Sequence, residues 1–189
     1  MRVAIVHEWF ISYAGSEKVL EQMLAVLPEA DLFGVVDFLP PGSREFIANK
    51  PVQTTFIQKF PWAKTKYQKY LPLMPLAIEQ LDVSAYDLVI SNSHAVAKGI
   101  ITGPDQLHIC FCHSPMRYAW VFYEEYFGRN PVKKMMLTPL LAALRRWDRR
   151  SAARVHRFIA ISRNVQNRIR QFYHRDADII YPPVNIEYW

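Results

Sequence analysis

The sequence predicts an α/β protein with a Rossmann-like, doubly wound and mostly parallel sheet. Short β-branched runs alternate along the chain with stretches whose apolar residues recur at helical spacing, and no internal repeat interrupts this alternation. The chain has 189 residues, of which 51% are hydrophobic and 14% are aromatic. That composition supports a substantial core and excludes a chain that is disordered throughout.

Seven strands are predicted, over residues 3–7, 31–38, 52–56, 87–91, 108–112, 157–162 and 178–181. Helices are predicted over residues 17–27, 132–153 and 163–172, the second of them interrupted or kinked at Pro139. The region 61–81 is aromatic and basic, and Pro72 and Pro75 leave its helical register open. Residues 1–181 are expected to form one domain, and residues 182–189 resemble the start of a linker.

The termini and the cysteines bear on the compartment. No segment reaches eighteen uncharged apolar residues, and the first residues lack the layout of a signal peptide, so we expect a cytoplasmic protein. Cys110 and Cys112 lie two apart on one predicted strand, where their side chains point in parallel and do not easily close a disulfide. We therefore expect buried free thiols.

Polar side chains follow three of the predicted strands. These are His7, Glu8 and Trp9 after the first, Asn92, Ser93 and His94 after the fourth, and His113, Ser114 and Arg117 after the fifth. In an open parallel sheet, ligands bind outside the carboxyl ends of the strands. A single buried histidine is commonly structural, but three at equivalent edges indicate one shared crevice.

The loop before the first helix carries Gly15 and Ser16, and backbone N–H groups at a helix N-terminus can bind an anion. The alternative is a simple turn in which Ser16 caps the helix. The spaced glycines of dinucleotide sites, the lysine-bearing P-loop and the Gly-x-Ser-x-Gly elbow are absent from the sequence. Zinc-binding motifs are absent as well, so we expect no metal site.

The net charge is +6, and its basic residues concentrate on the long predicted helix, at Arg145, Arg146, Arg149 and Arg150. A basic amphipathic helix can lie in the headgroup region of an anionic membrane. The alternative is that its apolar face covers the sheet while the arginines are solvated. A nucleic-acid interface is disfavoured, because the aromatic residues of 56–70 form no recognisable RNA or DNA motif.

Six motifs together resemble the N-terminal domain of a family-4 retaining glycosyltransferase of the GT-B fold. They are RVAIVH at 2–7, AGSEKV at 14–19, SNSHA at 91–95, HSPMRYAW at 113–120, IAISR at 159–163 and IYPPV at 180–184. The HSPMRYAW string is the most specific and is similar to bacterial enzymes, often mannosyltransferases, that build lipid-linked polysaccharides. Ala14 stands where the family has the first glycine of its loop.

The resemblance implies one half of a two-domain enzyme, with a nucleotide sugar (GDP- or UDP-linked) as co-substrate and no other cofactor. It places Gly15 and Ser16 in the loop that approaches the phosphates and sugar of the donor, and it makes His113 the residue that contacts the transferred sugar. The acceptor side would hold His7, Glu8, Trp9, Asn92, His94, Ser114 and Arg117. The family's donor-binding motifs belong to a second domain, so the 189 residues alone are expected to be inactive.

The expected partners are a nucleotide sugar, a glycan or lipid-linked acceptor and the inner face of the cell membrane. The alternative is a free-standing α/β module that binds anionic lipid or nucleic acid.

Overall fold

A computed structural model describes residues 1–120 and 131–184 of the chain. In this described part, seven strands form one sheet in the order β3-β2-β1-β4-β5-β6-β7, and every neighbouring pair is parallel. The predicted Rossmann-like fold class is confirmed. The strands are β1 (Val3–Phe10), β2 (Asp31–Asp37), β3 (Val52–Thr54), β4 (Leu88–Ser93), β5 (Leu107–Cys112), β6 (Arg157–Ala160) and β7 (Asp178–Ile179).

Helices connect the strands on both faces of the sheet. They are α1 (Gly15–Val26), α2 (Ala63–Lys66), α3 (Met74–Glu79), α4 (Arg117–Trp120), α5 (Pro131–Arg154) and α6 (Arg163–Tyr173). Short 3-10 turns occupy Pro41–Ser43, Glu45–Ile47, Phe56–Lys59, Tyr67–Tyr70 and Ala97–Gly99. The long helix continues through Pro139, so an interruption there is wrong, and the alternative of a kink stays a prediction. In the described residues, no helix combines the length and apolar character that a membrane span needs.

Two strands run further than the sequence predicted. β1 continues to Phe10 because Trp9 and Phe10 pair with Val36 and Asp37 of β2, and β4 continues to Ser93. Glu8 and Trp9 therefore lie inside β1, and Asn92 and Ser93 lie inside β4, instead of following these strands. β6 and β7 are shorter than predicted, ending at residues 160 and 179.

Alternate residues of β1 enter two different cores, as the two-residue repeat of a strand requires. Ile5 packs with Leu20 and Leu24 of α1 on one face. Val6 points to the other face, into a core that also contains Ile78 of α3 and Leu144 of α5. A third cluster joins β5, β6 and α6, and includes Cys110 and Cys112, which are free and buried as predicted.

A buried ion pair ties three helices to the segment after β4. The Lys98 ammonium donates to the carboxylate of Asp148 in α5, and both side chains are nearly inaccessible to solvent. Asp148 also accepts from the Trp120 indole N–H of α4 at 2.7 Å and from the Tyr173 hydroxyl of α6 at 2.8 Å. Each buried charge is thus neutralised and hydrogen-bonded, which is the condition under which such a pair is tolerated.

The replacement Asp148→Ala should lower the free energy of unfolding by about 3–5 kcal/mol, because it leaves the Lys98 ammonium buried without a partner. Urea unfolding followed by circular dichroism measures this. The matched control is Asp176→Ala, which removes an exposed partner of Arg170 and should leave stability near that of the parent. Equal losses in the two variants would contradict the assignment.

Candidate functional site

A cleft of about 660 Å³ lies at the carboxyl edge of the sheet. It is bounded by the first turn of α1, the segments after β4 and β5, helix α6 and the chain beyond β7. Its lining residues are Gly15, Ser16, Lys18, His94, His113, Ser114, Arg117, Ile161, Arg168, Pro182 and Pro183. This is the edge at which open parallel sheets bind their ligands.

The first turn of α1 forms one wall of the cleft. Ala14 occupies the N-cap position with φ −138° and ψ −154°, an extended conformation that alanine adopts without strain. The carboxylate of Glu17 accepts the Ala14 N–H at 3.1 Å and the Ser16 hydroxyl at 3.0 Å. The alternative that Ser16 caps the helix is therefore wrong, since the Glu17 carboxylate closes this turn.

Gly15 faces open space. A Cβ built on Gly15 would meet no atom within 4 Å, and the residue lines the cleft. Its missing side chain therefore leaves room for a ligand to approach the backbone of the first turn.

Four side chains form a hydrogen-bonded row behind the cleft. His113 Nε2 lies 2.5 Å from Asn92 Oδ1, and Asn92 Nδ2 lies 3.2 Å from His7 Nδ1. His7 Nε2 lies 3.2 Å from Glu17 Oε1. Asn92 also donates to the carbonyl oxygen of Ser16 at 2.9 Å, so the row links β1, β4 and β5 to the first turn of α1.

These hydrogen bonds determine which ring nitrogen of His113 carries the proton. Because the Asn92 amide nitrogen donates to Ser16, its oxygen remains as the acceptor, and His113 Nε2 must carry the proton. Burial lowers the pKa of His113 to about 3, and repulsion from His94 and His7 adds to the effect. At neutral pH the ring is therefore uncharged, and its Nδ1 is a hydrogen-bond acceptor.

Glu17, unlike His113, is charged at neutral pH. Burial alone would raise its pKa, but the hydrogen bond and charge interaction with His7 outweigh it and lower the pKa to about 2. A carboxylate that stays ionised can hold the His7 ring and the first turn of α1 together over the whole physiological pH range.

A second buried carboxylate shapes the segment after β4. Glu8 accepts the Ser93 hydroxyl at 3.0 Å and the four successive backbone N–H groups of residues 94–97 at 2.7–3.1 Å. Burial would raise the pKa of Glu8, but His94 and these N–H groups lower it overall. The anion thus holds the loop that presents His94 to the cleft.

An aromatic row leads away from the cleft. The rings of His94 and His113 are 6.5 Å apart, Trp9 packs edge-on against His94 at 4.8 Å, and Tyr67 packs against Trp9 at 5.1 Å. Burial lowers the pKa of His94 despite the nearby Glu8 carboxylate. The row therefore connects the cleft to the 3-10 turn Tyr67–Tyr70.

Three cations line the cleft, and no acidic residue is among the described lining residues. Lys18 and Arg117 are exposed, and Arg168 of α6 is half-buried. With the N-terminus of α1 on the same cavity, this arrangement favours an anionic ligand.

The structure separates the residues predicted from sequence into two groups. Gly15, Ser16, His94, His113, Ser114 and Arg117 line the cleft. His7, Glu8 and Asn92 are fully buried behind it, so they reach a ligand only through the groups they hold. Ser114 is also largely buried, and its hydroxyl donates to the carbonyl oxygen of Pro115.

Sequence reasoning missed several residues of the site. Glu17 and Lys18 lie inside the AGSEKV motif, which could have revealed them, but neither was assigned a role. Arg168, Ile161 and the two prolines after β7 reach the cleft only through the folding of the second half of the sheet. Ile161 and the two prolines lie in the IAISR and IYPPV motifs, which indicated the family but gave these residues no role, whereas Arg168 lies outside every motif.

The four arginines predicted to form one basic patch have different environments in α5. Arg145 donates to the Ala119 carbonyl oxygen at 2.7 Å, Arg149 donates to the Phe172 carbonyl oxygen at 3.2 Å, and both guanidinium groups lie over the Trp120 ring. Arg146 and Arg150 are exposed. Two of the arginines therefore pack helices together, and a role of the set at a membrane stays a prediction.

In the part of the chain that the structure describes, no group of three His, Cys, Asp or Glu side chains is placed to hold a metal ion. The pKa of Cys112 is raised well above its usual value by its hydrogen bond with Cys110 and by burial. That thiol is therefore protonated and unreactive at neutral pH.

Comparison with known proteins gives one family. Residues 13–188 match the family model described as Glycosyltransferase Family 4. A search of curated proteins finds no match.

Among solved structures, the chain is similar to Alr3699/HepE of Anabaena in complex with UDP, with 16% identity and a TM-score of 0.56 over 99% of this chain and 45% of that one. It is also similar to the apo form of the lipopolysaccharide outer core galactosyltransferase WaaB, with 13% identity and a TM-score of 0.50 over 98% of this chain and 47% of that one. At these identities the likeness concerns the fold. The chain spans less than half the length of either structure.

We expect His113 to remain neutral between about pH 7 and about pH 5, since burial keeps its pKa far below the ordinary value of 6.5. The Cε1–H resonance of His113, assigned with the variant His113→Gln, should not titrate in that range. A midpoint near pH 6 would contradict the buried environment described for the ring.

The lowered pKa of a buried histidine makes the free energy of unfolding depend on pH. His108, fully buried with its pKa lowered to about 3, behaves as His113 does. Both rings take up a proton in the unfolded chain before they do so in the folded one. Stability from this source is therefore complete above about pH 6.5 and is lost as the pH falls toward 3, at a slope of up to ~1.4 kcal/mol per pH unit for His108. Urea unfolding at several pH values should show this slope, and His108→Gln should flatten it.

Proposed function

The chain belongs to glycosyltransferase family 4, and from that premise we propose that it is the acceptor-side domain of a retaining glycosyltransferase. The enzyme transfers a sugar, which we expect to be mannose, from a GDP- or UDP-sugar to a glycan or lipid-linked acceptor in polysaccharide biosynthesis. It works in the cytoplasm, at the inner face of the cell membrane.

One observation carries the proposal: a neutral histidine and a cationic cavity share the carboxyl edge of the sheet. A nucleotide sugar joins an anionic diphosphate to a neutral polyhydroxylated ring. The positive charges of Lys18, Arg117 and Arg168 can bind the diphosphate. The uncharged Nδ1 of His113 can accept a hydrogen bond from a sugar hydroxyl.

In the proposed reaction, the bond between the sugar C1 and the diphosphate oxygen breaks while the acceptor oxygen bonds to C1 from the same face. The acceptor hydroxyl proton passes to the departing phosphate oxygen, so no side chain of this domain acts as general base. Negative charge grows on the diphosphate, and the N-terminus of α1 and the cleft cations stabilise it there. His113 holds the sugar, and Asn92, His7 and Glu17 position His113.

In this proposal, the donor nucleotide is bound mainly by a part of the protein that these 189 residues do not include. HepE, a protein of about twice this length in its matched structure, is described in complex with UDP and with UDP and glucose. We propose a second Rossmann-like domain for the nucleotide, joined through a linker that begins at residues 182–189. In that arrangement the 189 residues alone bind the acceptor but do not transfer sugar.

A transfer assay tests the function. The coding sequence beyond the Trp189 codon is read first, and the complete product is incubated with labelled GDP- and UDP-sugars and a lipid extract. His113→Ala should lower kcat by about 10²–10³-fold, as expected for a lost transition-state hydrogen bond. Asn92→Ala should lower it by about tenfold or more, because the His113 ring loses its fixed orientation.

His174→Ala is the control, since this exposed histidine lies outside the described lining of the cleft and should leave kcat unchanged. Full activity of His113→Ala, or sugar transfer by the 189-residue chain alone, would refute the assigned roles.

Two glycines offer a matched test of the open wall of the cleft. A Cβ at Gly15 or at Gly42 meets no atom within 4 Å, so alanine at either position should fold normally. Only Gly15 lines the cleft. Gly15→Ala should therefore raise KM for the nucleotide sugar severalfold, while Gly42→Ala should not. Equal KM values, with equal melting temperatures, would show that no ligand approaches this turn.

A further inference from the structure

An exposed surface beside the cleft combines apolar and basic side chains. We name it the lysine–tryptophan surface and define it by Trp62, Lys66, Lys69, Leu73 and Leu76, all of which are exposed. Trp62, Lys66, Lys69 and Tyr70 line a shallow pocket of about 320 Å³. Leu73 adjoins it through the hydrogen bond from its N–H to the Tyr70 carbonyl oxygen at 2.8 Å, and Leu76 lies one helical turn further.

Trp62 has an unusual backbone and an unusual exposure. Its φ is 55° in the left-handed region, which bulky residues rarely occupy, and 72% of its surface is accessible to solvent. Its carbonyl oxygen accepts the Lys66 N–H at 2.7 Å and the Thr65 N–H at 3.1 Å, so the conformation begins helix α2. A large aromatic residue held outward in a strained conformation indicates a binding surface.

The charge of the segment is entirely of one sign. Residues 46–78 contain five lysines and no acidic residue. Leu73 and Leu76 are 41% and 54% exposed within this basic setting. An anionic lipid surface complements both properties, since it attracts lysines at the headgroups and takes up Trp and Leu side chains at the acyl boundary.

The surface is continuous with the cleft. Tyr67 lies in the same segment and packs on Trp9, which packs on His94 at the cleft. The arginines of α5 lack this combination of basic side chains with neighbouring exposed apolar ones. Met135 is the large apolar side chain exposed in the described part of that helix, and it lies about 16 Å along the axis from the exposed Arg146.

We propose that the lysine–tryptophan surface docks the protein on an anionic membrane, with Trp62, Leu73 and Leu76 entering the interface and the lysines contacting headgroups. Docking there brings the Tyr67–Trp9–His94 row, and the cleft behind it, to the membrane side of the molecule. This inference rests on the membrane location in the proposed function, but docking does not require sugar transfer, so vesicle binding and the transfer assay can fail separately.

Vesicle sedimentation of the 189-residue chain tests the proposal. The chain should sediment with vesicles of equal parts phosphatidylglycerol and phosphatidylcholine at low salt, and it should not sediment with phosphatidylcholine alone. Lys66→Ser with Lys69→Ser should raise the lipid concentration for half-binding about tenfold or more, because each basic residue near an anionic surface contributes a factor of about five.

Trp62→Gly tests the apolar part, since glycine adopts the left-handed conformation freely and the fold should survive. We expect severalfold weaker sedimentation and, in the parent chain, a blue shift of tryptophan fluorescence on adding anionic vesicles that Trp62→Gly reduces. Ile101→Ser is the matched control, because Ile101 is 50% exposed and lies outside the surface.

Arg146→Ser with Arg150→Ser removes the same charge from α5 and should leave binding within about twofold of the parent. Loss of binding in this variant but not in the lysine variant would place the membrane contact on α5 and overturn the proposal. Equal binding to neutral vesicles would also overturn it. So would binding of single-stranded RNA through Lys66 and Lys69 without binding of anionic vesicles. Circular dichroism melts establish that each variant is folded.

Discussion

Four successive backbone N–H groups, from His94 to Ala97, end on the carboxylate of Glu8, and the shape of the cleft depends on this interaction. The carboxylate lies inside β1, where an unpaired charge would be very costly. The loop after β4 supplies the donors that make its burial possible, and in return the loop is fixed in one conformation. His94 therefore lies at the cleft because the Glu8 anion on the neighbouring strand fixes the loop that carries it.

Glu17 does for the first turn of α1 what Glu8 does for the β4 loop. Its ionised carboxylate holds Ala14, Ser16 and His7, and the row continues through Asn92 to His113. Both acids are buried and both have lowered pKa values, because hydrogen bonds and charge outweigh desolvation. The cleft thus presents cations and a neutral imidazole to a ligand, while its negative charges lie behind and are already paired.

The order and type of the main elements followed from the sequence because apolar periodicity is local. The α1 pattern, with Val19, Leu20 and Leu24 on one face, and the β-branched run of β1 needed no knowledge of the rest of the chain. The ends of the strands were harder to predict from the sequence than their order and type. The local pattern indicates the end of a strand at Glu8, but its carboxylate is tolerated inside β1 because it accepts hydrogen bonds from groups eighty-five or more residues away.

The sequence by itself determined the fold class and most of the residues that meet at the carboxyl edge of the sheet, since strand order and direction bring those edges together. The tertiary structure decided which of them face a ligand. His7, Glu8 and Asn92 turned out to be supports, and Lys18 and Arg168 turned out to line the cavity. The physical reason is that periodicity records which face of an element is apolar. Whether a polar side chain is buried with partners or exposed to a cleft depends on donors, acceptors and charges brought from distant parts of the chain.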